Sequence, residues 1–214
     1  MTWNRLFERA GTHEVSTEDI RETLVAHRET RTQGASESET TPGSEAGSWT
    51  SNDNGSDDPP ETADPTRIVA DADVLAADLF VGGPARDVLD AIRSHSWLDL
   101  VVTEPLLADA GAVIISLGDE SLAAEWREAI ELLCRVVGQP PGDHPALAAA
   151  YRAGAAHLLT FDEDLTSARA NLSMQAHLSV SVRTPAAFAT LFDPDALYEA
   201  TQEGSYPGPD REPE

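Results

Sequence analysis

Four aspartates stand where strands and helices are expected to meet: Asp71, Asp109, Asp143 and Asp162. Asp71 follows the apolar run Ile68-Val69-Ala70, and Asp162 follows Leu158-Leu159-Thr160-Phe161. If those two runs are parallel strands of one open sheet, both carboxylates emerge at its carboxyl edge, where such sheets build their sites. Asp109 lies about two turns into a helix that follows a second strand, so it leans over the same edge. Asp143 precedes Pro145 at the start of another helix. Carboxylates gathered this way repel one another unless a cation sits among them. Hard divalent ions such as Mg²⁺ or Mn²⁺ take oxygen ligands and relieve the repulsion. Such a centre activates water and neutralises charge on a phosphodiester. The four aspartates are therefore the candidate metal ligands and catalytic residues. Asp73, Thr160 and Asp164 are expected to support them from behind, with the Thr160 hydroxyl donating to a ligand carboxylate.

The element that best fixes this arrangement runs from Asp143 to Leu165. Pro145 suits the first turn of a helix, where its missing N–H costs nothing. Asp143 is placed to cap that turn, and Gly154 supplies the left-handed residue that ends it. His157-Leu158-Leu159 is then a short buried strand leading to Thr160 and Asp162. His144, between Asp143 and Pro145, reads as a loop residue.

Further strands are expected at 68–70, 98–102 and 178–182. Helices are expected over 74–80, from Pro84, over 105–116, and at 185–191. After Asp119 a long helix is expected in which Leu122, Trp126, Ile130, Leu133 and Val137 share one face, and Cys134 falls within it. Alternation of strands and helices with short loops predicts a three-layer α/β/α sandwich around a parallel sheet of four to five strands. Residues 67–200 form that domain. Before it lie a short helical segment, 1–29, opened by Ser16-Thr17-Glu18-Asp19 in the manner of a capping box, and a linker, 30–66. The linker is too rich in Ser, Thr, Gly, Pro and acid to offset its ordering entropy. Residues 201–214 read as a second disordered tail.

Composition narrows the chemistry. The net charge is −24, and all 14 basic residues are Arg; the chain has no Lys. Walker-type phosphate loops are thereby excluded. The charge is spread over both halves of the chain, as expected of adaptation to molar salt, where the Debye length shrinks to about 3 Å. The single cysteine, Cys134, rules out an intrachain disulfide and a cysteine zinc cage. No stretch has the length and apolarity of a membrane span or a signal peptide's core, so a cytoplasmic protein without membrane association is expected.

Several stretches resemble the PIN-domain family of metal-dependent nucleases. Ile68-Val69-Ala70-Asp71-Ala72-Asp73-Val74-Leu75 resembles the family's opening strand, where Asp-Thr-Asn is usual. Val101 to Asp109 resembles its second strand and helix, where the acid is more often Glu. Asp143 and Asp162 match its third and fourth acids, and Thr184-Pro185-Ala186-Ala187-Phe188 resembles its closing Thr-Pro-x-x-Phe helix. The resemblance spans roughly 67–191. It implies an Mg²⁺- or Mn²⁺-dependent endoribonuclease that leaves a 5′-phosphate and a 3′-hydroxyl. Arg152 and Arg169 are the candidate RNA contacts, and a homodimer and a small antitoxin-like partner are both compatible with it. Two alternatives stand beside it. Asp71-x-Asp73 after an apolar strand also resembles the nucleophile motif of haloacid-dehalogenase phosphatases, whose usual phosphoryl-binding Lys is missing here. The second is that the fold serves only as a non-catalytic binding module.

Overall fold

A computed structural model describes residues 2–37, 62–139, 144–167 and 180–211 of the 214. Five parallel strands form one sheet in the order β3-β2-β1-β4-β5, where β1 is Asp64–Ala70, β2 Asp99–Thr103, β3 Cys134–Val137, β4 Ala155–Leu159 and β5 Ser181–Arg183. The chain builds outward from β1 to β3 and then crosses back to place β4 on the other side of β1. This makes β1/β4 the switch point of the sheet, with Ile68 opposite His157 and Ala70 opposite Leu159. In such sheets the crevice for a ligand opens beyond the carboxyl ends of the two strands at the switch. Ile68, Val69, Leu100, Val101, Val102, Leu158 and Leu159 are completely buried. Continuous rather than alternating apolarity is what a sheet covered on both faces requires. Helices flank the sheet, giving the expected three-layer α/β/α architecture.

Ten helices are described: α1 Trp3–Ala10, α2 Thr17–Glu37, α3 Ala72–Phe80, α4 Pro84–Ser94, α5 Glu104–Leu117, α6 Glu120–Glu131, α7 Pro145–Ala153, α8 Glu163–Thr166, α9 Pro185–Leu191 and α10 Pro194–Thr201. Every residue of α3 is buried, as expected of a helix that is apolar nearly all round. α1 and α2 contribute to covering it. Leu6, Ala10, Ile20 and Leu24 join the central core, while Val25 stays exposed. The Arg86 guanidinium lies over the Phe7 ring at 3.2 Å and that of Arg93 over Trp3 at 4.0 Å. Both arginines also hold the buried carboxylate of Asp78 between α3 and α4. The capping box at the start of α2 forms as expected: Ser16 N donates to Asp19 Oδ2 (2.8 Å), and Asp19 N donates to Ser16 Oγ (3.2 Å).

Four boundaries differ from the sequence expectation. The N-terminal helical segment does not stop at 29, because α2 continues to Glu37. The α/β domain starts at Asp64 rather than 67, since Asp64 N donates to Gly154 O and extends the sheet. The helix expected to continue through Cys134 and Val137 ends at Glu131, and Cys134–Val137 is instead the edge strand β3. The expected disordered tail is docked over 202–211. Tyr206 and His95 share a hydrogen bond of 2.6 Å, Ser96 N donates to Asp210 Oδ1, and Asp210 N donates to Ser94 O. The core of the expected linker, 38–61, lies outside the described residues. Among the described residues no helix is long and apolar enough to cross a membrane.

Candidate active site

The site is assembled by strand ends. β1 ends at Ala70, and the next residue, Asp71, leaves the ladder while its N–H still donates to Leu159 O (2.8 Å). Its side chain caps α3, accepting from Ala72 N at 2.7 Å. A carboxylate at a helix N-terminus is held both by free amides and by the helix dipole. Asp73 follows in the first turn of α3. β4 ends at Leu159, and Thr160 beyond it is fully buried. β2 ends at Thr103, which caps α5 by accepting from Leu106 N at 3.3 Å. From that cap α5 carries Asp109 back over the sheet edge, where it too is completely buried.

Asp71, Asp73 and Asp109 are therefore three buried carboxyl groups at the carboxyl edge of neighbouring strands. The Thr160 hydroxyl stands 3.2 Å from Asp71 Oδ2 and 3.3 Å from Asp73 Oδ2. It has one proton and can donate to only one of them. Phe161 N donates to Asp73 Oδ2 (2.9 Å), whereas Asp73 Oδ1 is buried with no hydrogen-bond partner. Burial, and then the neighbouring charge of Asp71, push the Asp73 carboxyl up to about 8. Asp73 is thus held protonated at neutral pH, which offsets the extra acid that stands where an amide would have no charge.

The remaining charge on Asp71 and Asp109 is met from α2, and the sequence reading did not anticipate this. His27, Arg28 and Arg31 share one face of that helix, by three- and four-residue spacing. Each nitrogen of the Arg28 guanidinium finds a different partner. Nε donates to Asp109 Oδ2 (2.9 Å), Nη2 to Asp71 Oδ1 (2.9 Å) and Nη1 to His144 Nε2 (3.2 Å). Arg31 Nη1 donates to the other Asp109 oxygen, and His27 Nε2 stands 3.7 Å from it. Burial pulls the Arg28 guanidinium down, and the charges of Asp71 and Asp109 more than reverse that, leaving its pKa raised. His144 accepts from a guanidinium, so its Nε2 is unprotonated; burial lowers its pKa, and it is neutral. His144 is also the N-cap residue of α7, in the place expected for Asp143, and its Nε2 is 4.0 Å from Asp71 Oδ2. It belongs to the site rather than to a bystander loop.

The other expected residues divide. Asp162 lies half-buried at the rim and caps α8, its Oδ1 accepting from Asp164 N at 2.8 Å; its charge acts on His144. Asp164 itself is exposed, and its contact with the candidate ligands is through its backbone N–H on Asp162. Arg152 is in the last turn of α7, beside Gly154, whose carbonyl accepts from Asp64 at the amino end of β1. That is the far end of the sheet from the carboxylates, so the structure separates Arg152 from the site. A helix of this length carries its last turn about 12 Å from its first. Asp143 and Arg169 lie outside the described residues.

Chemically the donor set suits a hard cation. Asp71, Asp109 and Asp162 offer carboxylate oxygens at one edge, and Asp73 Oδ1 is a buried oxygen without a partner. Among the described residues, no three His, Cys, Asp or Glu side chains are already set to hold a metal ion. The Arg28 guanidinium stands between the two central carboxylates instead.

A model of one protein family matches residues 62–214, and the chain belongs to it: a family of unknown function, DUF7384. Neither a curated protein nor a solved structure matches the chain. α1 and α2, with Arg28 and Arg31, precede the matched segment.

Proposed function

We propose that this member of DUF7384 is a divalent-metal-dependent phosphodiesterase of PIN-like type, acting on RNA in the cytoplasm. The observation that carries the reading is the convergence of Asp71 and Asp109, both completely buried, at the switch point of a parallel sheet. Two buried carboxylates whose charge is met by guanidinium side chains from a helix outside the sheet are a costly arrangement for stability alone. It is the arrangement that a site for a cation requires.

Asp71 and Asp109 would hold Mg²⁺ or Mn²⁺, with Asp162 and Asp143 completing the oxygen shell. When bound, such an ion lowers the pKa of a coordinated water and neutralises charge on the phosphodiester. The chain's own residues do the rest. Thr160 orients Asp71 through its hydroxyl, and the Asp162 N–H holds Thr160 in place, donating to its oxygen at 3.1 Å. Protonated Asp73 removes one negative charge from a crowded site, so an anionic backbone is repelled less. Neutral His144 offers an unprotonated Nε2 4.0 Å from Asp71, within reach of a proton released at the site. The excess acid of the surface is consistent with adaptation to molar KCl, where repulsion between enzyme and RNA is screened.

Single-stranded RNA incubated with the full chain, Mn²⁺ and molar KCl tests the reading. Cleavage to 5′-phosphorylated ends, lost in Asp71→Asn and Asp109→Asn, is expected. A phosphatase activity that traps an acyl-phosphate on Asp71 overturns it in favour of the haloacid-dehalogenase chemistry. Metal binding with no hydrolysis of either substrate makes the protein a binding module.

A further inference from the structure

Arg28 is an unusual partner for a cation site. Its three nitrogens engage Asp71, Asp109 and His144, each at 2.9 to 3.2 Å. Arg28 occupies Asp71 Oδ1 and Asp109 Oδ2 while Arg31 takes the second oxygen of Asp109, so a metal ion held by these two carboxylates would compete with both arginines. At Asp109, where both oxygens are taken, guanidinium and metal compete directly. The helix that delivers both arginines is fastened only partly to the core. Ile20 and Leu24 are buried, but Val25, Ala26, Glu29 and Thr30 face solvent, and Arg31 is 46% exposed. The helix packs on α3 and α5, and past Leu24 the described side chains that it sends to the carboxylates are those of His27, Arg28 and Arg31.

We propose that α2 is a displaceable strap, in which Arg28 is a tethered cation keeping the place of the metal ion, so that the site loads only when α2 lifts. This rests on the metal-site reading above. Because Arg28 is joined to the domain by the chain itself, its effective concentration at the carboxylates is high at any protein concentration. A ligand that binds only the lifted state has its apparent affinity reduced by the fraction of chains in that state. Were one chain in a hundred lifted, the metal would bind about a hundredfold more weakly than to an open site. The strap thus sets a threshold: the site stays closed until metal, or metal with its RNA, is abundant enough to displace the arginine.

The test is Mn²⁺ titration by calorimetry on the full chain and on two variants. Arg28→Ala removes the competing cation, and Leu24→Ala loosens the strap without touching any charge at the site. Tighter Mn²⁺ binding, by about tenfold or more, is expected in both. In the unaltered chain, Mn²⁺ is expected to hasten tryptic cleavage after Arg28, which is part-buried until α2 lifts. Unchanged or weaker Mn²⁺ binding in both folded variants overturns the proposal, and so does an absence of Mn²⁺ binding in all three proteins. RNA cleavage is followed in parallel. Tighter Mn²⁺ binding without cleavage keeps the strap and discards the nuclease. Cleavage with equal Mn²⁺ affinity in all three proteins discards the strap and keeps the nuclease.

Discussion

Replacing Asp73 by Asn is expected to stabilise the protein, and by an amount that depends on pH. Asp73 is nearly inaccessible, and its carboxyl is pushed from 3.8 up to about 8 by burial and by Asp71. The folded chain therefore keeps a proton there that the unfolded chain gives up. The stability associated with that proton is fully present below about pH 4 and is lost as pH rises toward 8. Each pH unit in that window costs about 1.4 kcal/mol, so the ceiling at pH 8 is on the order of 5 kcal/mol. Asn is neutral in both states and removes the loss, while its amide oxygen still accepts from Phe161 N. In a chain of this size each kcal/mol moves Tm by roughly 2–4 °C. Thermal unfolding of both proteins in EDTA and 2 M KCl, at half-unit steps from pH 4 to 8, measures the difference directly. Equal Tm at pH 4 and a gap widening to more than about 5 °C by pH 8 is expected. A gap that is constant with pH, or an Asn variant less stable at pH 8, refutes the reasoning.

Other perturbations follow from the same contacts. Arg93→Ala leaves Asp78 buried with only Arg86 beside it and removes the guanidinium packed on Trp3; urea unfolding is expected to show a loss of about 3 kcal/mol or more. Gly154 ends α7 in the left-handed region at φ 59°, so Gly154→Ala is expected to cost about 1 kcal/mol in the same assay. With a net charge of −24, Tm is expected to rise steadily from 0.1 to 3 M KCl, and a flat profile contradicts the halophilic reading.

Much of the frame was legible because its signals are local. Pro145 and Gly154 bracket α7, Thr103 announces α5, and the apolar runs before Asp71 and Thr160 are strands without alternation. β3 was hidden for a physical reason. Leu133 and Val137 continue the helical spacing of Leu122, Trp126 and Ile130 past the true end of α6, although Leu132 at the junction is 92% exposed. The adjacent β-branched pair Val136-Val137 was the opposing signal. Arg28 was hidden more deeply. It meets Asp71 across 43 residues of sequence and Asp109 across 81, and no periodicity encodes a contact at that range. The spacing of His27, Arg28 and Arg31 on one helical face was the only visible trace. Asp73 was legible as extra acid but not as neutral acid, because its protonation comes from burial and from Asp71 together.

The central proposal is that Asp71 would help to hold a divalent cation at an RNA-hydrolysing site, and Mn²⁺-dependent cleavage by Asp71→Asn measures it most directly. The substitution keeps the shape of the α3 cap and an acceptor for Ala72 N, so the fold is expected to persist. Losing one charged ligand is expected to weaken Mn²⁺ binding and lower the cleavage rate by at least about a hundredfold at fixed metal. Cleavage at the rate of the unaltered chain, from a variant shown to be folded, contradicts the account.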